Sequence, residues 1–170
     1  FTFYGTGTYL IGTDNVAIID AGPNNDDHVQ ALLKAVEGRT VTHLFVTHTH
    51  LDHSPATAIL KEKTGAPSYG FGPHGAGQKE TSVAGERVEE GADLEFTPDH
   101  ELKDGDIIEG DGWTIEAVYT PGHTSNHLCF ALKEENTLFC GDHVMAWSTT
   151  VVSPPDGDMA SYMKSLKKLK

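Results

Sequence analysis

Cysteine and positive charge are both scarce in this 170-residue chain, and each shortage excludes a class of protein. Two cysteines are too few for a disulfide scaffold or a cysteine-rich zinc module. Twelve Lys and Arg stand against 25 Asp and Glu, and the formal net charge of −13 argues against a basic surface for nucleic-acid phosphates or anionic lipid. No run of about 18 apolar residues occurs, so we expect no membrane-spanning segment and no membrane partner.

A secretory signal is also missing. Phe1 is not a methionine, and no basic segment with an apolar core follows it, so we expect the native N-terminus to lie upstream. We interpret Cys129 and Cys140 as small core residues in a reducing compartment, which favours a cytoplasmic protein. The length predicts a single domain over residues 1–170, which is long enough to bury a substantial hydrophobic core.

Most of the negative charge lies in one stretch. Residues 80–116 contain 13 acidic and two basic side chains, a net charge of −11. We interpret this stretch chiefly as a solvated surface, and the alternative is an acidic rim that attracts cations beside an active site. Because the rest of the chain is nearly neutral, the total charge does not exclude a small anionic substrate.

The hydrophobic pattern predicts alternating strands and helices over the first 70 residues and mainly strands afterwards. This order indicates an α/β class that is not a simple doubly wound sheet. Ser54 is expected to cap the second helix, with Pro55 at its first helical position, and residues 72–91 are expected to form a long loop. The predicted strands cover 8–11, 16–20, 42–47, 66–71, 102–109, 113–119, 128–133 and 137–140, and the predicted helices cover 25–36, 54–63 and a final segment capped near Asp158.

Four possible metal ligands occupy six residues between a predicted strand and a predicted helix: His48, His50, Asp52 and His53. In extended chain, residues i and i+2 point the same way, about 6.6 Å apart, so His48 and His50 can converge on one ion. Asp52 and His53 can face a second ion nearby. Imidazole and carboxylate ligands suit Zn²⁺, and also Fe or Mn.

Three further residues stand at or just after the ends of predicted strands. His123, in the sequence Pro-Gly-His, would supply a third imidazole. Asp142, in the sequence Gly-Asp, offers a carboxylate that can bridge two cations. Asp20 ends an apolar strand, where its charge needs partners, and either support of a metal ligand or the capping of a loop would provide them.

These motifs, in this order and spacing, resemble the metallo-β-lactamase superfamily, and most closely its β-lactamase-like protein 2 and glyoxalase II-like branch. The resemblance implies an αββα four-layer sandwich with a binuclear zinc site at one edge. It implies that His48, His50 and His123 hold one ion, that Asp52 and His53 hold the other, and that Asp142 bridges them. Asp52 would also orient the nucleophile, which makes it the expected catalytic residue.

The sequence departs from the pattern of this family at two points. Members of the family normally add one more histidine to the second ion, in a late Gly-His segment, which this sequence does not reach. We therefore expect a domain truncated at its C-terminus and a second metal site that is incomplete within residues 1–170. Zinc β-lactamases tend to place cysteine where Asp142 stands, so antibiotic hydrolysis is not the leading interpretation.

The implied activity is hydrolysis of a small ester, thioester or lactone by metal-bound hydroxide. Two alternatives stay open, namely cleavage of single-stranded RNA or another phosphodiester, and a mononuclear iron oxidoreductase similar to persulfide dioxygenases. His127 has an open role, in orienting His123, in substrate contact or in a structural hydrogen bond. His143 is expected to lie outside the ligand set, residues 145–150 to line the substrate cleft, and Trp113 and Trp147 to lie in the core.

Overall fold

The computed structural model describes residues 5–78 and 91–169. Within these ranges the chain forms two β-sheets, three α-helices and one turn of 3₁₀-helix at Gly141–His143. The strands are β1 (Tyr9–Ile11), β2 (Asn15–Ile19), β3 (Thr40–Phe45), β4 (Ser68–Gly70), β5 (His100–Glu101), β6 (Ile107–Glu109), β7 (Thr114–Tyr119), β8 (Leu128–Leu132) and β9 (Thr137–Phe139). The helices are α1 (Asp26–Ala35), α2 (Ala56–Thr64) and α3 (Met159–Lys168).

The first sheet has the order β1-β2-β3-β4-β5. Only the β1–β2 pair is antiparallel, and the other neighbours run parallel. Helix α1 carries the chain back between β2 and β3, and α2 does so between β3 and β4. Asn25 starts α1 as predicted, since its side chain accepts a hydrogen bond from the backbone N–H of His28. The carboxyl ends of β2 and β3 therefore meet at one edge of this sheet.

The second sheet is antiparallel, in the order β6-β7-β8-β9, and packs face to face on the first. The rings of Phe45 and Phe130 meet between the sheets at a centroid distance of 5.1 Å. On the outer side of the first sheet, α1 and α2 bury a second apolar cluster that includes Val29 and Leu60. Helix α3 contacts the end of β7, where Lys168 Nζ donates to the carbonyl of Tyr119. The layers confirm the predicted αββα arrangement.

Several local predictions were wrong. Residues 102–109 do not form one strand, because a turn closed by the side chain of Asp106 on Lys103 N separates β5 of the first sheet from β6 of the second. Ser54 does not cap α2, because its hydroxyl donates to Asp93 instead, at 2.6 Å. Helix α2 begins at Ala56, after Pro55. The predicted loop at 72–91 forms turns over 72–78, and its residues 79–90 lie outside the described residues.

The two tryptophans differ. Trp113 lies in the core as predicted, whereas Trp147 is 82% exposed, in the segment between Asp142 and α3. Cys129 and Cys140 are both free thiols, Cys129 being buried and Cys140 partly buried. No helix among the described residues is long and apolar enough to cross a membrane.

Asp99 connects α2 to the first sheet. Its carboxylate accepts hydrogen bonds from the backbone N–H and the hydroxyl of Ser68, both at 2.9 Å, and pairs with Lys61. The hydrogen bond from Lys61, followed by those from Ser68, lowers the pKa of Asp99 to about 2.

We expect Asp99→Asn to lower the free energy of unfolding by about 1 kcal/mol at pH 7, a small effect because water screens this partly exposed group. The folded pKa lies below the unfolded value, so the contribution is complete above about pH 4 and is lost as the pH falls through about 2. Urea unfolding of both proteins at several pH values measures the difference, with Asp14→Asn at an exposed position as the control. An equal difference at pH 7 and pH 2 would contradict this account.

Candidate metal centre

The site lies at the edge where strands of both sheets end. Asp20 follows β2, and its backbone N–H donates to the carbonyl of Phe45 at the end of β3. The motif that starts at His48 leaves β3 at the same edge. The backbone N–H of Leu128 donates to the carbonyl of Thr47 at 2.8 Å and so ties the second sheet to this edge. The loop with His123 follows β7, and the turn with Asp142 follows β9.

One donor set contains His48, His50, His123 and Asp142, whose ligand atoms all lie within 4.8 Å of one another. His50 Nδ1 is 3.0 Å from His48 Nε2 and 3.0 Å from His123 Nε2, and His123 Nε2 is 3.7 Å from Asp142 Oδ2. The structure therefore brings together the three histidines that the sequence assigned to one ion, and adds a carboxylate oxygen to them.

A second donor set contains Asp52, His53 and Asp142. His53 Nε2 lies 3.3 Å from Asp142 Oδ1 and 3.6 Å from Asp52 Oδ2. Asp142 thus turns one oxygen toward each set. This placement is the one that a bridging carboxylate requires.

The donor atoms fit a cation. Ligands about 2.1 Å from Zn²⁺ at tetrahedral angles lie roughly 3.4 Å apart, close to the observed 3.0–3.7 Å. His53 Nε2 is also buried and has no hydrogen-bond partner among the described residues, although two carboxylates face it. A buried nitrogen of this kind is costly unless it binds a proton or a metal.

Hydrogen bonds on the far side of two of the rings, those of His123 and His48, fix which nitrogen faces the site. His123 Nδ1 donates to the carbonyl of Val151 at 2.6 Å, which leaves the lone pair on Nε2. Thr47 Oγ1 donates to Asp20, so it accepts from His48 Nδ1, and the lone pair of His48 also lies on Nε2. Burial, followed by the neighbouring imidazoles, lowers the pKa of His48 well below its usual value, and that of His123 is also lowered by burial. Both rings are therefore neutral and ready to bind a metal.

Asp20 performs both roles that the sequence left open. Its carboxylate accepts from the backbone N–H of Thr47 at 2.8 Å and from the hydroxyl of Thr47 at 2.7 Å, which caps the loop that follows β3 and ties it to the end of β2. It also accepts from His53 Nδ1 at 2.8 Å and so orients that ring toward the second donor set. The residue is buried and has φ +54°, a conformation that is uncommon for a residue other than glycine.

The electrostatics of the second set centre on His53. Burial lowers its pKa, but the charges of Asp20 and Asp142 outweigh burial and raise it to about 10. Burial raises the pKa of Asp142, but contact with His53 outweighs burial and lowers it to about 2. Without a cation, this set therefore holds a proton between its members. Metal binding at His53 would release that proton.

Two residues that contact the ligand-bearing segments were not predicted from the sequence. Thr6 Oγ1 donates to Asp52 Oδ2 at 2.5 Å, across 46 residues of chain, and no sequence pattern connects the two. Asn126 is buried, and its amide donates to Thr49 Oγ1 at 3.0 Å, so it holds the loop between His48 and His50.

The remaining candidates fall outside the two donor sets. His127 hydrogen-bonds Thr120 rather than His123, and its ring stacks on His48 at 5.0 Å, so its role in the described structure is to support the site. His143 is buried and absent from both donor sets, as expected. Of residues 145–150, Thr150 donates to the carbonyl of Asp142 at 2.8 Å, and the role of this segment in a substrate cleft stays a prediction.

Comparison with known proteins identifies relatives of this chain. The family model described as the metallo-beta-lactamase superfamily matches residues 2–170. Lactamase-like protein adaB of Aspergillus niger is 34% identical over 171 residues, which cover 97% of this chain and 46% of that protein. The Beta-lactamase-like protein 2 homolog of Caenorhabditis elegans is 34% identical over 179 residues, covering 100% and 53%. The chain thus spans about half the length of these relatives.

Another relative is named atrochrysone carboxyl ACP thioesterase AgnL7, from Paecilomyces divaricatus, with 30% identity over 175 residues that cover 99% of this chain and 48% of that protein. Among solved structures, TTHA1623 in a di-iron-bound form has a TM-score of 0.73 and 25% identity, covering 96% of this chain and 80% of that one. ETHE1 from Myxococcus xanthus shares the fold, with a TM-score of 0.70, 23% identity and coverage of 97% and 64%.

Proposed function

Since the chain belongs to the metallo-beta-lactamase superfamily, we propose that it is a metal-dependent hydrolase of a small ester, thioester or lactone. The observation that carries the proposal is Asp142, whose two oxygens face two donor sets at once. Two-metal hydrolases have this arrangement, in which one carboxylate is shared by two sets of metal ligands.

Among the three substrate classes, we propose thioesters first. Relatives at 30% and 31% identity are named atrochrysone carboxyl ACP thioesterases. Hydrolysis of a thioester consumes one water, breaks the C–S bond, and yields a carboxylic acid and a thiol. The chain spans about half the length of these relatives.

In this proposal His48, His50, His123 and Asp142 hold one cation, and Asp52, His53 and Asp142 hold the other. Zn²⁺ is the proposed metal, with Fe and Mn as alternatives, because nitrogen and carboxylate ligands suit all three. Cations bound there would supply Lewis acidity, which would lower the pKa of a coordinated water toward about 7 and would polarise the substrate carbonyl.

The protein contributes by holding the ligands in place before substrate arrives. The carbonyl of Val151 and the hydroxyl of Thr47 fix the ring nitrogens that face the cations. Thr6 holds one oxygen of Asp52, whose partly exposed carboxylate is placed to accept a hydrogen bond from an attacking water. Preorganised groups of this kind need no rearrangement during the reaction.

The charge balance of the site permits an anionic substrate or product. Two divalent cations would more than offset the charges of Asp52 and Asp142, although the chain as a whole carries −13. A small molecule is therefore the proposed partner, and nucleic acid is disfavoured because the chain has only 12 basic residues. A reducing, cytoplasmic compartment is part of the same proposal, since both cysteines are free thiols.

A substrate panel tests the proposal. The chain is stripped of metal, reloaded with Zn²⁺, Fe²⁺ or Mn²⁺, and assayed with an acyl thioester, an aryl ester, a lactone and single-stranded RNA. We expect metal-dependent thiol release from the thioester and little cleavage of RNA. Turnover of RNA without turnover of the thioester, the ester or the lactone would overturn the proposal.

A further inference from the structure

Helix α3 contacts both loops that carry ligands from the second half of the chain. The hydroxyl of Tyr162 donates to the carbonyl of His143 at 2.9 Å, and the rings of these two residues meet edge to face at 4.9 Å. His143 directly follows Asp142. Tyr162 therefore holds the backbone at the C-terminal side of the shared carboxylate.

The backbone of the same residue packs against the loop of His123. A Cβ atom on Gly122 would lie 2.4 Å from Tyr162 Cα and 2.5 Å from Tyr162 N, so only glycine permits this approach. The backbone N–H of Asp158 donates to the carbonyl of Gly122, and Ser165 Oγ donates to the carbonyl of Pro121. Tyr162 thus contacts Gly122, the neighbour of His123, and His143, the neighbour of Asp142.

The turn of Asp142 is also held by the close packing of Gly141 against Thr47 and His127 and by the contact of Asp142 with His53. Both ring nitrogens of His143 lack hydrogen-bond partners among the described residues, so this side chain fills space but does not anchor the turn by hydrogen bonds. The bonds that hold it come through backbone atoms: Thr150 Oγ1 donates to the carbonyls of Asp142 and His143, His143 N donates to the carbonyl of Cys140, and Tyr162 donates from α3. Of these, only the bond from Tyr162 connects the turn to the helix that also holds the loop of His123.

We propose that Tyr162 is a positioning residue for the metal centre, which sets the turn of Asp142 against the loop of His123. It keeps Asp142 Oδ2 3.7 Å from His123 Nε2, within the spacing that two ligands of one ion require. The inference rests on the proposed metal centre and does not depend on which substrate is hydrolysed. Residues that orient ligands from outside the coordination sphere affect metal affinity by about 10–100-fold.

Zn²⁺ affinity of the metal-free chain, measured by competition with a chromophoric chelator, tests this role. We expect Tyr162→Phe to weaken binding about tenfold, because it removes only the hydroxyl. Tyr119→Phe is the matched control: it removes a 2.8 Å bond from a tyrosine hydroxyl to the carbonyl of Ser125, which adjoins neither ligand. We expect the control to bind Zn²⁺ within about twofold of the unmodified chain, and thermal unfolding without metal to be alike for both variants.

Three results would overturn the inference. Tyr162→Phe could bind Zn²⁺ as tightly as the unmodified chain, or Tyr119→Phe could be weakened to the same degree. A Tyr162→Phe chain that fails to fold without metal would also overturn it, since the hydroxyl would then serve stability instead of ligand placement. If the unmodified chain itself binds no Zn²⁺, Fe²⁺ or Mn²⁺, the proposed function fails, and that result is distinct from the three above.

Discussion

Asp142→Asn is expected to remove metal-dependent turnover almost completely, by about 1,000-fold or more. Asp142 is the one residue common to both donor sets, so the substitution weakens both at once. An amide is a much poorer ligand than a carboxylate for a bridging position. Loss of about 4 kcal/mol of metal-derived stabilisation in the transition state corresponds to this factor.

Metal content and turnover are measured together for this variant. Asp99→Asn is the matched control, because it makes the same chemical change at a carboxylate that binds Ser68 and Lys61 away from the site. The control should retain its metals and its rate. An Asp142→Asn chain with metal content and turnover within about twofold of the unmodified chain would show that the shared carboxylate is not part of the active centre.

Gly122→Ala is expected to have the largest effect on folding, a loss of about 4 kcal/mol. The new methyl group would collide with backbone atoms of Tyr162, which cannot rotate away, and φ at this position is +144°. Overpacking and backbone strain each cost about 1–3 kcal/mol. The sum is a large part of the 5–15 kcal/mol that stabilises a typical domain.

Gly65→Ala separates the two costs. Gly65 ends α2 with φ +74°, and a Cβ there meets nothing within 4 Å, so this variant carries backbone strain without a collision. We expect it to lose only about 1 kcal/mol. Denaturant unfolding of both metal-free variants gives the comparison, and equal losses would mean that the contact between the loop of His123 and α3 is not tightly packed.

Much of the site could be predicted from the sequence because its ligands are local features. His48 and His50 stand two residues apart after a strand, and this spacing alone places them on one side of the chain. His123 and Asp142 follow other strands, and strand ends that meet at one edge bring their side chains together. Because Asp20 ends an apolar strand, the sequence also indicated that its charge needs partners. The sequence did not indicate which partners these are.

Other features could not be predicted, because their partners are distant in the chain. Ser54 carries the sequence signal of a helix cap, yet Asp93 competes successfully for its hydroxyl. Trp147 is apolar enough for a core, yet the segment after Asp142 leaves it exposed. The hydroxyl of Thr6 reaches Asp52 only because β1 lies beside β2 at the edge of the site.

The sequence by itself indicated the candidate ligand residues and the α/β class of the fold, since the first follow from residue types and spacing and the second from periodicity along the chain. Tertiary structure decided how the donors are divided, with Asp142 between two sets, and which groups orient them. Those groups include Thr6, the carbonyl of Val151 and the hydroxyl of Tyr162. The physical reason is that hydrogen bonds to backbone carbonyls and between distant loops depend on distances of a few tenths of an ångström, which only the packing of both sheets and α3 sets.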